Sequence, residues 1–253
     1  GGAGAGGGGK GGSAGSGGSG PAVCSVKRFD FDSGPQGFTT SGKNNPWENG
    51  KPGIGPSGDH TSGSGSLWGT RLKAQPSYCE DSSIESPTID LAAYAGKALR
   101  LHVWHWDAFR ACDPNGSFGF CGLACTPPIP IIPVDSYSGG SVELFSGGQW
   151  QTPSPIEGYG ASGQAVYVNG GSGDPKDGGT PPCQDSSLDG AKVFAAKGAS
   201  GQWVRSTFDL SKLTTADFKV RVHFASAPKE DCYPNAAGWF VDDIEILYDG
   251  ACQ

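Results

Sequence analysis

Nine residues near the C-terminus, Gly238-Trp239-Phe240-Val241-Asp242-Asp243-Ile244-Glu245-Ile246, constrain this chain more than any other segment. Apolar and polar residues alternate here at period two, the pattern of a half-buried β-strand. Neighbouring side chains on a strand point to opposite faces. Asp242 and Asp243 therefore cannot both face solvent. A carboxylate turned inward needs a cation, several N–H donors or a raised pKa.

Much of the remaining chain reads the same way. Residues 98–107 place Leu99, Leu101, Val103 and His105 on one face, with Arg100, His102, Trp104 and Trp106 on the other. Residues 218–226 set Phe218, Val220, Val222 and Phe224 against Lys219, Arg221 and His223. Further strands are expected at 26–32, 66–72, 83–89, 141–146, 164–168, 191–196, 202–209 and 239–248, with a short turn at 90–96. No stretch of ten residues carries a helical 3.6-residue period. Many short strands separated by Gly, Pro, Asn and Ser imply an all-β fold, an antiparallel jelly-roll β-sandwich. Residues 44–66, 112–137 and 169–189 read as long loop insertions, since connections usually run about 4–6 residues.

Of the 44 glycines, 13 fall in residues 1–20, which hold only Gly, Ala, Ser and one Lys. Such a segment buries no core and reads as a flexible linker, or as an arm for self-association if it orders against a neighbouring copy. Residues 21–253 read as one domain. The chain begins at Gly1 and contains no Met, from which a removed signal peptide is expected. It has eight cysteines, Cys24, Cys79, Cys112, Cys121, Cys125, Cys183, Cys232 and Cys252. An even number in such a chain points to an oxidising compartment and to disulfides that staple the long loops. The formal net charge is −7, and no basic run interrupts the sequence, which argues against nucleic acid as a partner. No apolar run approaches the ~20 residues of a membrane span.

The order of blocks is informative. Ser86-Pro87-Thr88-Ile89-Asp90-Leu91 precedes Leu99–Trp106. Gly140-Ser141-Val142-Glu143-Leu144 with Gly147-Gly148-Gln149-Trp150 follows, then Gly201-Gln202-Trp203 with Phe208-Asp209-Leu210. Val220-Arg221-Val222-His223-Phe224 and Gly238–Ile246 complete the series. This series resembles the MAM-like jelly-roll domains of secreted bacterial proteins, including the accessory domain of immune-inhibitor-A-type metallopeptidases. The resemblance spans roughly residues 29–248 and implies a secreted or cell-surface, bacterial protein. It also implies a structural calcium ion between the first and last strands, at Asp242 and Asp243. Asp30 and Asp32, at i and i+2 on the expected first strand, share a face and would supply further oxygens to an ion that takes six to eight. Cys24 and Cys252 flank those two strands and are candidates for one bridge. Two departures stand out. The family usually has an Asp before the paired glycines of the hairpin, where this chain has Ser146, and the Cys- and Pro-rich segment 112–137 is not part of its pattern.

Beside the calcium that the resemblance implies, the residues bear on three further chemistries. Zinc fails, because Cys112, Cys121 and Cys125 lack the paired spacing of a zinc site. Catalysis has little to rest on. Gly11-Gly12-Ser13-Ala14-Gly15 fits a nucleophile-elbow pattern only inside low-complexity sequence, and there is no H-E-x-x-H. The chain is therefore read as no enzyme. Glycan binding is the third: Trp104 and Trp106, with His102, form the expected exposed aromatic pair among seven tryptophans, although large aromatics more often fill cores. The expected function is non-catalytic binding or adhesion outside the cell, to a protein or a glycan. The alternatives are a structural subunit of an extracellular assembly and an accessory domain of a secreted hydrolase.

Overall fold

The computed structural model describes residues 23–61, 65–77, 79–109, 138–157, 164–165, 187–188, 191–195, 201–226 and 237–250. These residues form two antiparallel sheets and no α-helix. Thirteen strands run in chain order: β1 (Val23–Phe29), β2 (Thr39–Lys43), β3 (Trp47–Gly50), β4 (Leu67–Thr70), β5 (Asp81–Glu85), β6 (Leu99–Ala108), β7 (Ser138–Ser146), β8 (Gln149–Gln151), β9 (Gln164–Ala165), β10 (Lys192–Ala195), β11 (Trp203–Asp209), β12 (Lys219–Ser226) and β13 (Gly238–Asp249). Sheet A is ordered β11-β6-β13-β4-β3, with β1 also on β13; sheet B is ordered β2-β5-β12-β7-β10-β9, with β8 on β7. The turn at 90–96 holds a single 3-10 turn at Ala92–Tyr94.

Side-chain alternation explains why these segments pair as they do. Leu99, Leu101, Val103 and His105 of β6 turn inward and are fully buried, as are Val220, Val222 and Phe224 of β12. They meet in one core shared by both sheets, together with Ile84, Leu144, Phe208, Trp239, Ile244 and Ile246. The sheets approach closely where Trp239 of β13 crosses to Gly140 of β7. Any Cβ at Gly140 would overlap the indole ring, so this position excludes every larger residue.

Several expected boundaries differ. β1 ends at Phe29, so Asp30 and Asp32 are not on the first strand and do not share a strand face. Phe31 between them takes a φ of 53°, a left-handed conformation costly for a bulky residue. The three-phenylalanine contact with Phe29 and Phe38, with Phe31–Phe38 centroids 5.0 Å apart, accompanies it. The expected loop at 44–66 contains β3. Strands β2 and β8 carry too little alternating apolar sequence to be read in advance. Ser146, where the family has Asp, contacts Thr215 at 2.9 Å. Asp217 accepts Gly147 N and Gly148 N of the same hairpin at 3.0 Å each.

Among the described residues no cysteine is free. Cys24 is buried on β1. Cys112, Cys121, Cys125, Cys183, Cys232 and Cys252 lie outside the described residues, as do the arm at 1–20 and the segment 112–137.

Candidate functional site

Two strands share one side of β13. β4 pairs with Phe240 and Val241, while β1 pairs with residues from Ile244 to Asp249. Asp242 and Asp243 fall in the gap between them. On the other side, β6 pairs along the whole of β13 with a register shift between Asp242 and Ile244. Asp243 is the extra residue of a β-bulge, with a φ of 39°. The bulge resets the alternation, so Val241 and Ile244 both point into the core although they stand three positions apart. The adjacent carboxylates are the sequence trace of that bulge.

Their environments differ. Asp243 accepts Arg28 Nη2 at 2.8 Å, His60 Nδ1 at 2.7 Å and the Thr61 hydroxyl. Burial would raise its pKa, but these bonds from Thr61, His60 and Arg28 hold it below the usual carboxylate range. Asp242 is completely buried. Its Oδ2 accepts His60 N at 2.8 Å, while its Oδ1 has no hydrogen-bond partner among the described residues. Burial, with the charges of Asp243 and Asp59 adding to it, pushes its pKa up to about 7.

Asp59 and Asp32 complete a carboxylate group that the spacing did not reveal. Asp59 is buried and accepts Gly65 N at 2.5 Å. A Cβ on Gly65 would overlap both the Asp32 and the Asp59 carboxylates, so the two crowd one point that only glycine leaves open. Asp32 has its pKa raised by desolvation and then by the charges of Asp59 and Asp30. Asp30 instead accepts Gln36 Nε2 at 2.6 Å. Of the four aspartates expected to hold a cation, the structure brings Asp32 against Asp59, and Asp242 near enough to feel the Asp59 charge. It gives Asp243 to Arg28 and Asp30 to Gln36. As placed, no three His, Cys, Asp or Glu side chains among the described residues form a ready-made ion cage. The signal for Asp59 was a short polar residue in a Gly/Ser loop, with nothing in its spacing to tie it to residue 242.

The outward face of sheet A carries a groove of about 490 Å³. His102 and Trp104 of β6 line it, with Arg205 of β11 and Glu245 of β13. Glu157 reaches the groove because Ile156 N and Thr207 N tie residues 156–157 along the free edge of β11. Arg100 pairs with Asp249, and Arg205 with Glu157 at 3.5 Å. His102 is half-buried and has no side-chain hydrogen bond among the described residues. Its pKa is lowered by burial first and by the Arg205 charge second, so it is a neutral imidazole at pH 7.

The expected exposed Trp104–Trp106 pair does not form. Trp106 is only 8% exposed and meets Phe240 edge-on at 5.5 Å in an apolar cluster with Leu67 and Leu72. The loop carrying Ile54 covers that end of the face. Trp104 stacks on the His60 ring at 3.7 Å, and Arg205 lies 6.0 Å from its ring centre. It forms a wall of the groove rather than an open platform. His60 thereby touches both sites, with its backbone and ring nitrogens on the aspartates and its ring face on Trp104.

Two other polar groups serve the fold. His105, fully buried, has Nε2 2.9 Å from Ser206 Oγ and Nδ1 3.5 Å from Asp107 Oδ1. This imitates a serine-hydrolase constellation, but all three side chains are buried among the described residues. On the outer face of sheet B, His223 lies between Asp81 at 2.6 Å and Glu143 at 2.8 Å, and Arg221 bonds Glu143 and Glu85.

No family model and no curated protein matches the chain. Solved structures similar to it include the K3 cleaved adhesin domain of Lys-gingipain from Porphyromonas gingivalis w83, at 16% identity and a TM-score of 0.38, covering 89% of this chain and 99% of that one. The K2 cleaved adhesin domain of Lys-gingipain is 12% identical with a TM-score of 0.36, covering 90% and 99%. The CBM22-2 xylan-binding domain from Paenibacillus barcinonensis Xyn10C is 11% identical with a TM-score of 0.30, covering 88% and 98%. Likenesses this distant assign neither a family nor a ligand to this chain. Among the described residues no helix is long and apolar enough to cross a membrane.

Proposed function

We propose that this chain is a non-catalytic extracellular binding domain of the MAM-like jelly-roll type, which seats a polar glycan in the groove on sheet A. The observation that carries this reading is His102: a half-buried imidazole with no side-chain hydrogen bond among the described residues, set between arginines and carboxylates, its neutral form favoured by burial. Such a group donates at one nitrogen and accepts at the other. Arg100 and Arg205 are nearly balanced by Glu157, Glu245 and Asp249, so the groove offers paired donors and acceptors with little net charge. That suits the hydroxyls of a neutral saccharide better than an ion.

In the same reading a structural calcium ion sits among Asp32, Asp59 and Asp242, with backbone carbonyls completing its shell. The orphaned Asp242 Oδ1 and the crowding of the Asp32 and Asp59 carboxylates against Gly65 support it. The ion would neutralise carboxylates that otherwise repel one another, and it would do no chemistry. Disulfides among the eight cysteines, including a Cys24–Cys252 bridge, belong to the same proposal.

The test is a glycan array probed with the full chain in calcium, beside a His102→Ala variant of unchanged melting midpoint. Retention of at least one neutral glycan by the wild type, lost at least tenfold in the variant, is expected. A wild type that retains no glycan, or a variant that binds equally, overturns the groove assignment.

A further inference from the structure

A second cavity of about 580 Å³ lies at the β3 edge of sheet A and shares no lining residue with the groove. Three of its lining residues are cations, Lys51, Arg71 and Lys73, brought together from two loops in a chain of net charge −7. The loops are tied to each other: Gly53 N and Ile54 N both donate to Leu72 O, at 2.6 and 3.2 Å. The lining carboxylate, Glu48, is committed through Oε2 to Leu72 N at 2.9 Å.

Arg71 is the most constrained of the three. Its φ is 63°, a left-handed conformation uncommon outside glycine, which occurs where surrounding structure enforces it. Its backbone N–H donates to Pro46 O at 2.9 Å. Its Nε donates at 3.2 Å to Glu80 Oε1, and that carboxylate is itself buried and accepts Ser77 N at 2.7 Å. A buried carboxylate thus clamps one edge of the guanidinium, whose side chain stays 39% exposed. Its Nη edge is left for an oxyanion that can accept two parallel N–H bonds, as planar carboxylates and tetrahedral oxyanions both do. Lys51 and Lys73 flank it, both exposed, and neither has a hydrogen-bond or ion-pair partner among the described residues.

We propose that this cavity binds an oxyanion-bearing saccharide, a glycan carrying sulfate or carboxylate groups, as a second site beyond the groove. No aromatic side chain lines it, so it lacks the stacking platform that single-stranded nucleic acid uses. Three cations also form too short a track for the many phosphate contacts of a nucleic acid. Leu72 is the one large apolar side chain in the lining, which leaves nothing to insert into a lipid surface.

Isothermal titration of the full chain decides the matter, with a heparin-derived oligosaccharide, an oligogalacturonate, neutral dextran and a single-stranded oligonucleotide as probes. At least one acidic saccharide is expected to bind, more weakly at about 0.5 M than at about 0.05 M salt. Heparin alone identifies sulfate, galacturonate alone identifies carboxylate, and any heat from neutral dextran is expected to be the same in the wild type and in Lys51→Gln with Lys73→Gln. Lys51→Gln with Lys73→Gln should lower the affinity at least tenfold, while Lys97→Gln with Lys212→Gln, equally exposed and distant in sequence, should leave it unchanged. Both double variants replace exposed side chains and should melt with the wild type. The proposal is overturned if neither acidic saccharide binds, if the first variant binds as the wild type does, if the second loses as much, or if the oligonucleotide binds more tightly. Because His102 is untouched, neutral-glycan binding in the groove is read separately.

Discussion

Asp242 and Asp243 are neighbours in sequence and opposites in environment. Asp243 lies under Arg28, His60 and Thr61 and is already neutralised. Asp242 has one oxygen without a hydrogen-bond partner among the described residues and a pKa pushed up to about 7 by burial. The pair therefore separates by a single substitution. Asp242→Asn removes a buried charge while keeping its shape, so without calcium it should fold at least as stably as the wild type. Calcium at about 100 times its dissociation constant would stabilise the wild type by about 2.7 kcal/mol. That raises the melting midpoint by several degrees, an increase reversed by chelator and absent in Asp242→Asn. Differential scanning calorimetry with and without calcium checks this, and a variant that keeps the full calcium response rejects Asp242 as a ligand.

At the scale of elements, the outer face of sheet B is a ladder of charges across three strands. β12 supplies Lys219, Arg221 and His223, and β5 and β7 oppose them with Asp81, Glu85 and Glu143. Burial opposes a charged His223, but hydrogen bonds from it to Asp81 and Glu143 outweigh that and push its pKa up to about 9. The folded value stands above the ordinary 6.5. Its stabilisation is therefore full below pH ~6.5 and is lost as pH rises through about 9. The melting midpoint should fall across that window, and His223→Gln should flatten the fall while costing about 3 kcal/mol near neutral pH. Asp81, Glu85 and Glu143 act with the opposite sign. Burial would raise each, but their bonds to His223, Ser187, Lys219 and Arg221 hold them below their ordinary values. Their contribution is present above the unfolded carboxylate pKa and is lost as pH falls through the depressed values. A midpoint that stays flat from pH ~6.5 to 9 in the wild type would remove His223 from this role.

At the scale of the molecule, Trp239 joins the two sheets. It leaves β13 of sheet A and packs near Trp47, His105 and Phe109, with Phe194 of sheet B at 5.6 Å between centroids. Trp239→Ala should cost about 3–5 kcal/mol, read as a lower urea midpoint with an unchanged slope. A loss below ~1 kcal/mol would mean that the sandwich closes without it. How much of this was legible in advance depends on the range of the interaction. The strands β6, β12 and β13, and the inward faces of Leu99, Leu101, Val103, Val220, Val222 and Phe224, follow from alternation alone, because period two is a local property of an extended backbone. The paired aspartates marked a place where that alternation breaks. Alternation cannot say which residues from elsewhere arrive there. His60 reaches Asp242 from 182 positions away, bringing the Asp59 charge near it, only because β1 and β4 leave a gap on one side of β13. Trp106 is buried and Trp104 half-covered because one loop lies over one end of the sheet face, which no property of β6 foretells. Lys51, Arg71 and Lys73 form no run in the sequence and converge only when two loops fold together. The chain's own pattern determined the sheets and their inner faces, since those arise from neighbours along the backbone. Only the tertiary structure decided the carboxylate group, the groove and the basic cavity, since each is built from segments that meet through packing.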